Sequence, residues 1–122
     1  MNKLDLGDLF IDIFRVSNQD KSFLIKMINS LTPDMLDTSK LIRKLFVLYK
    51  TYYTKYQKVP TEKIIKFELV KSGEDEDTVG YVTDKIFNSS AIDPGEKEYI
   101  IDSVITYAKN YQLQKAIIES ND

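Results

Sequence analysis

The stretch KLFVLYKTYYTKYQKVPT, residues 44–61, decides the fold, because it is either a core helix or an exposed nucleic-acid surface. It holds four of the chain's eight tyrosines, interleaved with lysines. These tyrosines follow an i, i+3, i+4, i+7 spacing: Tyr49, Tyr52, Tyr53 and Tyr56. That spacing puts them on one face of an α-helix, and Leu45 and Phe46 extend the same face. The pattern favours a core helix over residues 39–57, which ends before Pro60 because the residue preceding a proline disfavours helix.

The same stretch also fits a second interpretation. Between Ser39 and Thr61 there is no acidic residue, and there are six basic ones: Lys40, Arg43, Lys44, Lys50, Lys55 and Lys58. Aromatic rings beside a basic groove hold single-stranded nucleic acid without sequence preference. In the core-helix interpretation, which the spacing favours, the lysines instead form a solvated outer face that can meet an acidic partner. A single-strand binder that uses the tyrosines and lysines of residues 49–58 stays open as an alternative.

The composition limits the classes of function. The 122 residues suffice for one domain with a core, and 43% apolar with 30% charged residues is ordinary for a soluble globular protein. A net charge of −2 and a pI of about 5.2 do not indicate a strongly basic nucleic-acid binder. The chain has no cysteine, no histidine and no GxxxxGK[ST] or GxGxxG motif. We therefore expect no catalytic residue, no metal site and no bound cofactor.

The sequence also bears on the compartment. No apolar run approaches the roughly 18 residues of a membrane span. The first residues, MNKLDLGDLFIDIF, carry acids inside their apolar stretch and lack a small-residue cleavage site, so they make a poor signal peptide. We expect a cytoplasmic protein that does not contact a membrane.

Apolar residues recur mostly at helical spacing, and turn residues divide the chain into six segments. The predicted helices cover these residues: 4–15, 21–31, 39–57, 62–71, from the acidic run at 74–77 to 88, and 93–120. In the fourth helix the core candidates are Ile64, Ile65, Phe67 and Leu69. The acidic run lacks the spaced ligands and the glycine of a calcium loop, whereas acids suit the positive end of a helix dipole. The predicted fold class is all-α, a compact bundle of about six helices.

The last predicted helix has the clearest start signal and an unusual length. Asp93-Pro94-Gly95-Glu96 is typical of an N-cap, a proline at the first helical position and an acid three residues after the cap. A helix from there to Ser120 spans roughly 40 Å at about 1.5 Å per residue, which is more than a small core needs. Its apolar residues recur near a three-to-four spacing, as in helices that pack against a partner helix. We expect a head over residues 1–92 and a long helix over 93–122 in the same domain.

Two segments carry a family resemblance: LIRKLFVLYKTYYTKYQKVPT, residues 41–61, and EYIIDSVITYAKNYQLQKAIIES, residues 98–120. Both resemble the N-terminal domain of the DnaB-type hexameric replicative helicases, especially the phage versions. The first is similar to a family helix in which a basic residue precedes an Ile/Leu-Phe pair and a Pro-Thr starts the next helix. The second is similar to the helix that opens the family's helical hairpin. In element order the resemblance covers residues 9–120.

The resemblance implies a helical collar without the motor. In that family, hairpins of neighbouring subunits pair, the domains form a trimer of dimers around the DNA channel, and the collar docks primase or a helicase loader. The long helix would be the first hairpin arm, and the basic face of the third helix a docking surface. The expected subunit contacts are Ile101, Val104, Ile105, Ala108, Tyr111, Gln112 and Ile118. Ile101→Asp or Ala108→Asp is expected to disrupt assembly and leave the monomer folded.

The motor and the second hairpin arm lie outside these 122 residues, so no nucleotide site is carried over. ATP and Mg²⁺ are expected only in the motor of the parent helicase. The chain ends in IIESND without a strong cap, so we expect the parent protein to continue. Two other classes stay open: a stand-alone helical adaptor, helicase loader or inhibitor, and the helicase-binding domain of a primase, which has a similar hairpin.

Overall fold

A computed structural model gives the fold of the chain. It describes the backbone of residues 3–36, 39–88 and 93–120. Side chains are described for these residues: 10–36, 39–88, 93, 95–111, 113 and 114. Within those ranges the fold contains six α-helices, one 3₁₀ turn and no β-strand. The prediction of an all-α bundle is confirmed.

The helices follow the predicted order. Their bounds are α1 Lys3–Gln19, α2 Lys21–Ser30, α3 Lys40–Tyr56, α4 Glu62–Lys71, α5 Glu76–Phe87 and α6 Pro94–Ser120. α1 packs against α2, α3, α5 and α6, so four of the other five helices assemble around it. α4 packs on the opposite flank against α3 and α5. All six helices contribute buried apolar side chains to one core.

Short polar side chains begin four of the helices. They lie at the N-caps of α2, α3, α4 and α5: Asp20, Ser39, Thr61 and Asp75. Each N-cap has extended backbone, and its side chain accepts a hydrogen bond from a backbone N–H of the first turn. These N–H groups have no acceptor inside the helix, so the cap supplies the missing partner. The predicted starts are accurate because a cap residue stands next to each apolar stripe.

The connections after α3 and α4 bring the chain back against α3. The C-cap of α3 is Gln57, which has left-handed backbone with φ 59°. After α4 the chain turns at Gly73 with φ 99°, a conformation that glycine adopts without the strain of a Cβ. The turn is tied to α3 because Lys44 Nζ donates to the Ser72 carbonyl oxygen at 3.2 Å and to Glu74 Oε1 at 2.8 Å.

Two segments depart from the prediction. α1 does not end at Arg15 but continues to Gln19, because Val16 and Ser17 are buried and the Ser17 hydroxyl donates to the Ile13 carbonyl oxygen at 2.6 Å. The loop after α2 is more than a connection. Its 3₁₀ turn, Pro33–Leu36, buries two apolar side chains and packs against α3 and α6.

Candidate interaction surfaces

The first half of α6 belongs to the core of the domain. Three residues predicted to form a subunit contact are at most 2% exposed: Ile101, Val104 and Ala108. α6 packs here against α1 and the 3₁₀ turn, and the Tyr107 ring meets the Phe10 ring edge-on at 5.4 Å. The prediction that these three side chains form a free contact surface is therefore wrong. An aspartate at Ile101 or Ala108 would enter the core, and would not leave the monomer folded.

The second half of α6 has a different environment. Beyond Ala108, every described side chain of the helix is exposed or half-exposed. Leu113 exposes 61% of its surface, and sequence reasoning missed it because it lies off the apolar stripe. Ile105 and Tyr111 are half-buried, and a subunit contact through them stays a prediction. Two predicted contacts lie outside the described side chains: Gln112 and Ile118.

The tyrosine stripe of α3 divides between core and surface. Tyr49 is fully buried, as predicted, whereas Tyr53 is half-buried, with Lys21 Nζ 5.7 Å from its ring centroid. Tyr56 is 51% exposed, and its ring lies 4.7 Å from that of half-buried Tyr52. The prediction of a core position is right for Tyr49 and wrong for Tyr56. The last buried side chain of α3 is Tyr49, and the side chains of the helix that follow it are half-buried or exposed.

The outer side of α3 and α4 carries a long depression, which we call the α3–α4 groove. One cavity of about 490 Å³ lies at the start of α3, between Val47 on α3 and Leu69 on α4. A second cavity of about 620 Å³ lies towards the end of α3, between Tyr56 and Phe67. Leu48 and Glu68 line both cavities, so the two cavities adjoin within the α3–α4 groove.

The predicted basic face coincides in part with this groove. Lys40, Arg43 and Lys44 line the first cavity. Lys50, Lys55 and Lys58 are exposed but do not line either of the two cavities. Lys55 Nζ lies 5.3 Å from the Tyr56 ring centroid. α4 adds Lys63 to the second cavity, a residue that the sequence analysis did not assign to the basic face.

The charge of the chain is distributed unevenly along the sequence. Residues 40–71, which include α3 and α4, contain nine basic and two acidic residues, a formal charge of +7. The rest of the sequence contains eight basic and seventeen acidic residues, a formal charge of −9. The small overall charge therefore hides a basic region on an otherwise acidic protein. The predicted basic face covers the first part of this region and does not include its continuation through α4.

The described residues contain no group of three or more acidic side chains that could hold a metal ion. The Asp75 carboxylate accepts from the Thr78 hydroxyl at 2.8 Å and from the Thr78 and Asp77 N–H groups, which lowers its pKa. Burial raises the pKa of the Tyr49 hydroxyl, whereas the hydrogen bond from Asn18 lowers it by less. Both shifts belong to groups that stabilise the fold, one at a helix start and one in the core.

Among the described helices, none combines the length and apolarity that crossing a bilayer requires.

Among the described residues, the second half of α6 and the α3–α4 groove both expose apolar side chains that can contact another molecule. Comparison of the chain with protein-family models, with curated proteins and with solved structures finds no match.

Proposed function

We propose that the chain is a non-catalytic assembly and docking domain, the collar of a DnaB-type replicative helicase. In this role it joins subunits through α6 and docks primase or a loader on the α3–α4 surface. The observation that carries the assembly part is the length of α6. The helix has 27 residues, and its described buried side chains all lie between Ile100 and Ala108. At about 1.5 Å per residue, roughly 18 Å of helix follows Ala108.

The exposed side chains on that part of the helix support the proposal. Leu113 presents an apolar side chain there, and Tyr111 is half-buried. Burying such side chains against a second helix stabilises an assembly by roughly 25 cal/mol per Å² of apolar surface. A collar of this kind has no active site of its own. It acts in the cytoplasm, and ATP and Mg²⁺ bind to the motor of the parent protein.

The assembly part is tested by the mass of the chain in solution. Light scattering over a wide range of protein concentration is expected to show a dimer or a larger assembly for the natural sequence. Leu113→Asp is expected to shift the equilibrium to the monomer, because a carboxylate replaces an apolar contact. Tyr81→Asp, which replaces a similarly exposed side chain on α5 instead of α6, is the matched control and is expected to keep the assembly. A monomer at all concentrations, or equal masses for both variants, contradicts assembly through α6.

The helicase part has a separate test. The codons that follow Asp122 in the source gene are expected to encode a linker and a P-loop of the form GxxxxGK[ST]. A stop codon at that place contradicts the collar proposal and favours a free-standing adaptor, loader or inhibitor. The assembly measurement keeps its meaning in either case, because it concerns only the surface of α6.

A further inference from the structure

We propose that the α3–α4 groove binds an acidic amphipathic helix of a partner protein. This inference rests on the docking part of the proposed function and specifies the chemistry of the docked segment. It is independent of assembly through α6, which uses different residues on a different helix.

The floor of the groove is apolar and open. Val47 is 42% exposed and Phe67 is 64% exposed, although both are large apolar side chains. Leu48 and Ile64, which also line the groove, are half-buried. A contiguous apolar surface of this kind on a folded domain marks a binding site, because covering it removes apolar area from water.

The shape of the groove fits a helix. It follows α3 from Lys40 to Tyr56, which is about 25 Å at 1.5 Å per residue. A docked helix of similar length has about four turns and can place apolar side chains at i, i+3 or i+4, and i+7 into one groove. Aromatic rings line the second cavity, whereas the apolar lining of the first is aliphatic and offers no ring on which a base could stack. A peptide helix therefore fits the surface better than a single strand of nucleic acid.

The charge around the groove selects an acidic helix. Lys40 and Lys63 line its cavities, within a stretch of sequence, residues 40–71, whose formal charge is +7. The Lys44 charge is balanced by Glu74 at 2.8 Å. Glu68 is the acidic side chain that lines both cavities, and it lies between basic residues at either end. Carboxylates on the exposed face of a docked helix would meet this basic rim, which speeds association and rejects basic partners.

The test uses a displayed library of random peptides about sixteen residues long, the length that spans the groove as a helix. The peptides are selected on the full chain and counter-selected on the double variant Val47→Asp/Phe67→Asp. Both changes lie on exposed side chains, and circular dichroism checks that the variant stays folded. The matched control is Tyr81→Asp, which removes an equally exposed ring from α5, outside the groove. Binding of a (dT) oligonucleotide is measured in parallel.

The expected peptides carry apolar residues at helical spacing and an excess of Asp and Glu. A synthetic copy is expected to bind the double variant at least about tenfold more weakly, the size typical of losing a binding hot spot. It should bind the Tyr81→Asp variant as well as the natural sequence. Lys40→Glu and Lys63→Glu are each expected to weaken binding of the peptide. Each should also make the affinity depend less on salt concentration.

Three results overturn the inference. One is that no peptide distinguishes the natural sequence from the double variant. Another is that the selected peptides are basic or neutral. The third is that the oligonucleotide binds in the groove with steep salt dependence while no acidic peptide does, which makes the groove a nucleic-acid site. None of these results changes the mass measurement on Leu113→Asp, so failure here is distinct from failure of assembly through α6.

Discussion

At the scale of single residues, Tyr49 shows how a polar group enters the core without a large cost. Its ring packs against Phe14 at 4.9 Å, and its hydroxyl oxygen accepts a hydrogen bond from Asn18 Nδ2 at 2.8 Å. The bond joins α1 to α3 across 31 residues of sequence. A buried hydroxyl without a partner would destabilise the fold, whereas a paired one also fixes how the two helices face each other.

The first prediction concerns this hydrogen bond. Tyr49→Phe keeps the ring and removes the hydroxyl, so we expect a loss of about 1 kcal/mol in the free energy of unfolding. Urea denaturation at neutral pH measures it. Tyr56→Phe, at a ring that is half exposed, is the control and should change stability by less than about 0.5 kcal/mol. A double-mutant cycle with Asn18→Ala is expected to show coupling, and strict additivity would contradict the bond.

The second prediction follows from the pKa of Tyr49. Burial raises this pKa above its ordinary value of 10.0, so the folded protein keeps the hydroxyl protonated where an unfolded chain releases the proton. Below pH 10 the shift has no effect on stability. Above pH 10 it favours the unfolded chain by about 1.4 kcal/mol per pH unit until the folded group also ionises. At neutral pH the natural sequence should have the larger free energy of unfolding. Above pH 10 this difference from Tyr49→Phe should therefore decrease and then change sign. A difference in free energy of unfolding that stays constant with pH would contradict the burial of the Tyr49 hydroxyl.

At the scale of helices, the N-cap of α5 gives the third prediction. The pKa of the Asp75 carboxylate is lowered below its ordinary 3.8, first by the Thr78 hydroxyl and then by the N–H groups of Thr78 and Asp77. Its stabilising effect is thus present above pH 3.8 and is lost as the pH falls through the lowered value. We expect Asp75→Ala to lower the melting temperature at neutral pH. In strong acid the melting temperatures of the variant and of the natural sequence should become similar. Asp102→Asn, an exposed acid inside α6, is the control.

The helices also show what the sequence predicts and what it does not. The starts and ends of α2, α3 and α4 are accurate to about one residue, because caps and Pro60 act locally. The buried face of α4 was not predictable. Four core candidates were named there, but only Ile65 and Leu69 are buried, while Phe67 is mostly exposed. Positions 64, 65, 67 and 69 cover more than half of the circumference of a ten-residue helix, so periodicity alone does not identify its buried face.

At the scale of the whole molecule, α6 illustrates a related ambiguity. The sequence predicted its start, its length and an apolar stripe through Ile101, Val104 and Ala108. It could not tell whether α1 of the same chain or a helix of a second chain covers that stripe, because both buried environments favour the same residues. The structure assigns the stripe to α1 and the 3₁₀ turn, so an outward surface must use other positions, such as Leu113.

The fourth prediction separates these two roles on one helix. Val104 is fully buried, so Val104→Asp puts a carboxylate into the core, where it stays charged without a partner or takes up a proton at a cost. We expect a loss of about 4 kcal/mol or more, a large part of the roughly 5–15 kcal/mol that stabilises a domain. Leu113→Asp changes an exposed side chain on the same helix and should alter the free energy of unfolding by less than about 0.5 kcal/mol.

Both variants are compared by urea denaturation at a concentration where the natural chain is monomeric, so that assembly does not contribute to the measured stability. A folded Val104→Asp monomer with natural stability would mean that the stripe is exposed in solution and free to pair with a second chain. An unfolded Leu113→Asp would mean that the second half of α6 is part of the core. The expected pattern, loss of the fold in the first variant and loss of assembly alone in the second, assigns residues 100–108 to the domain and the helix beyond them to its partners.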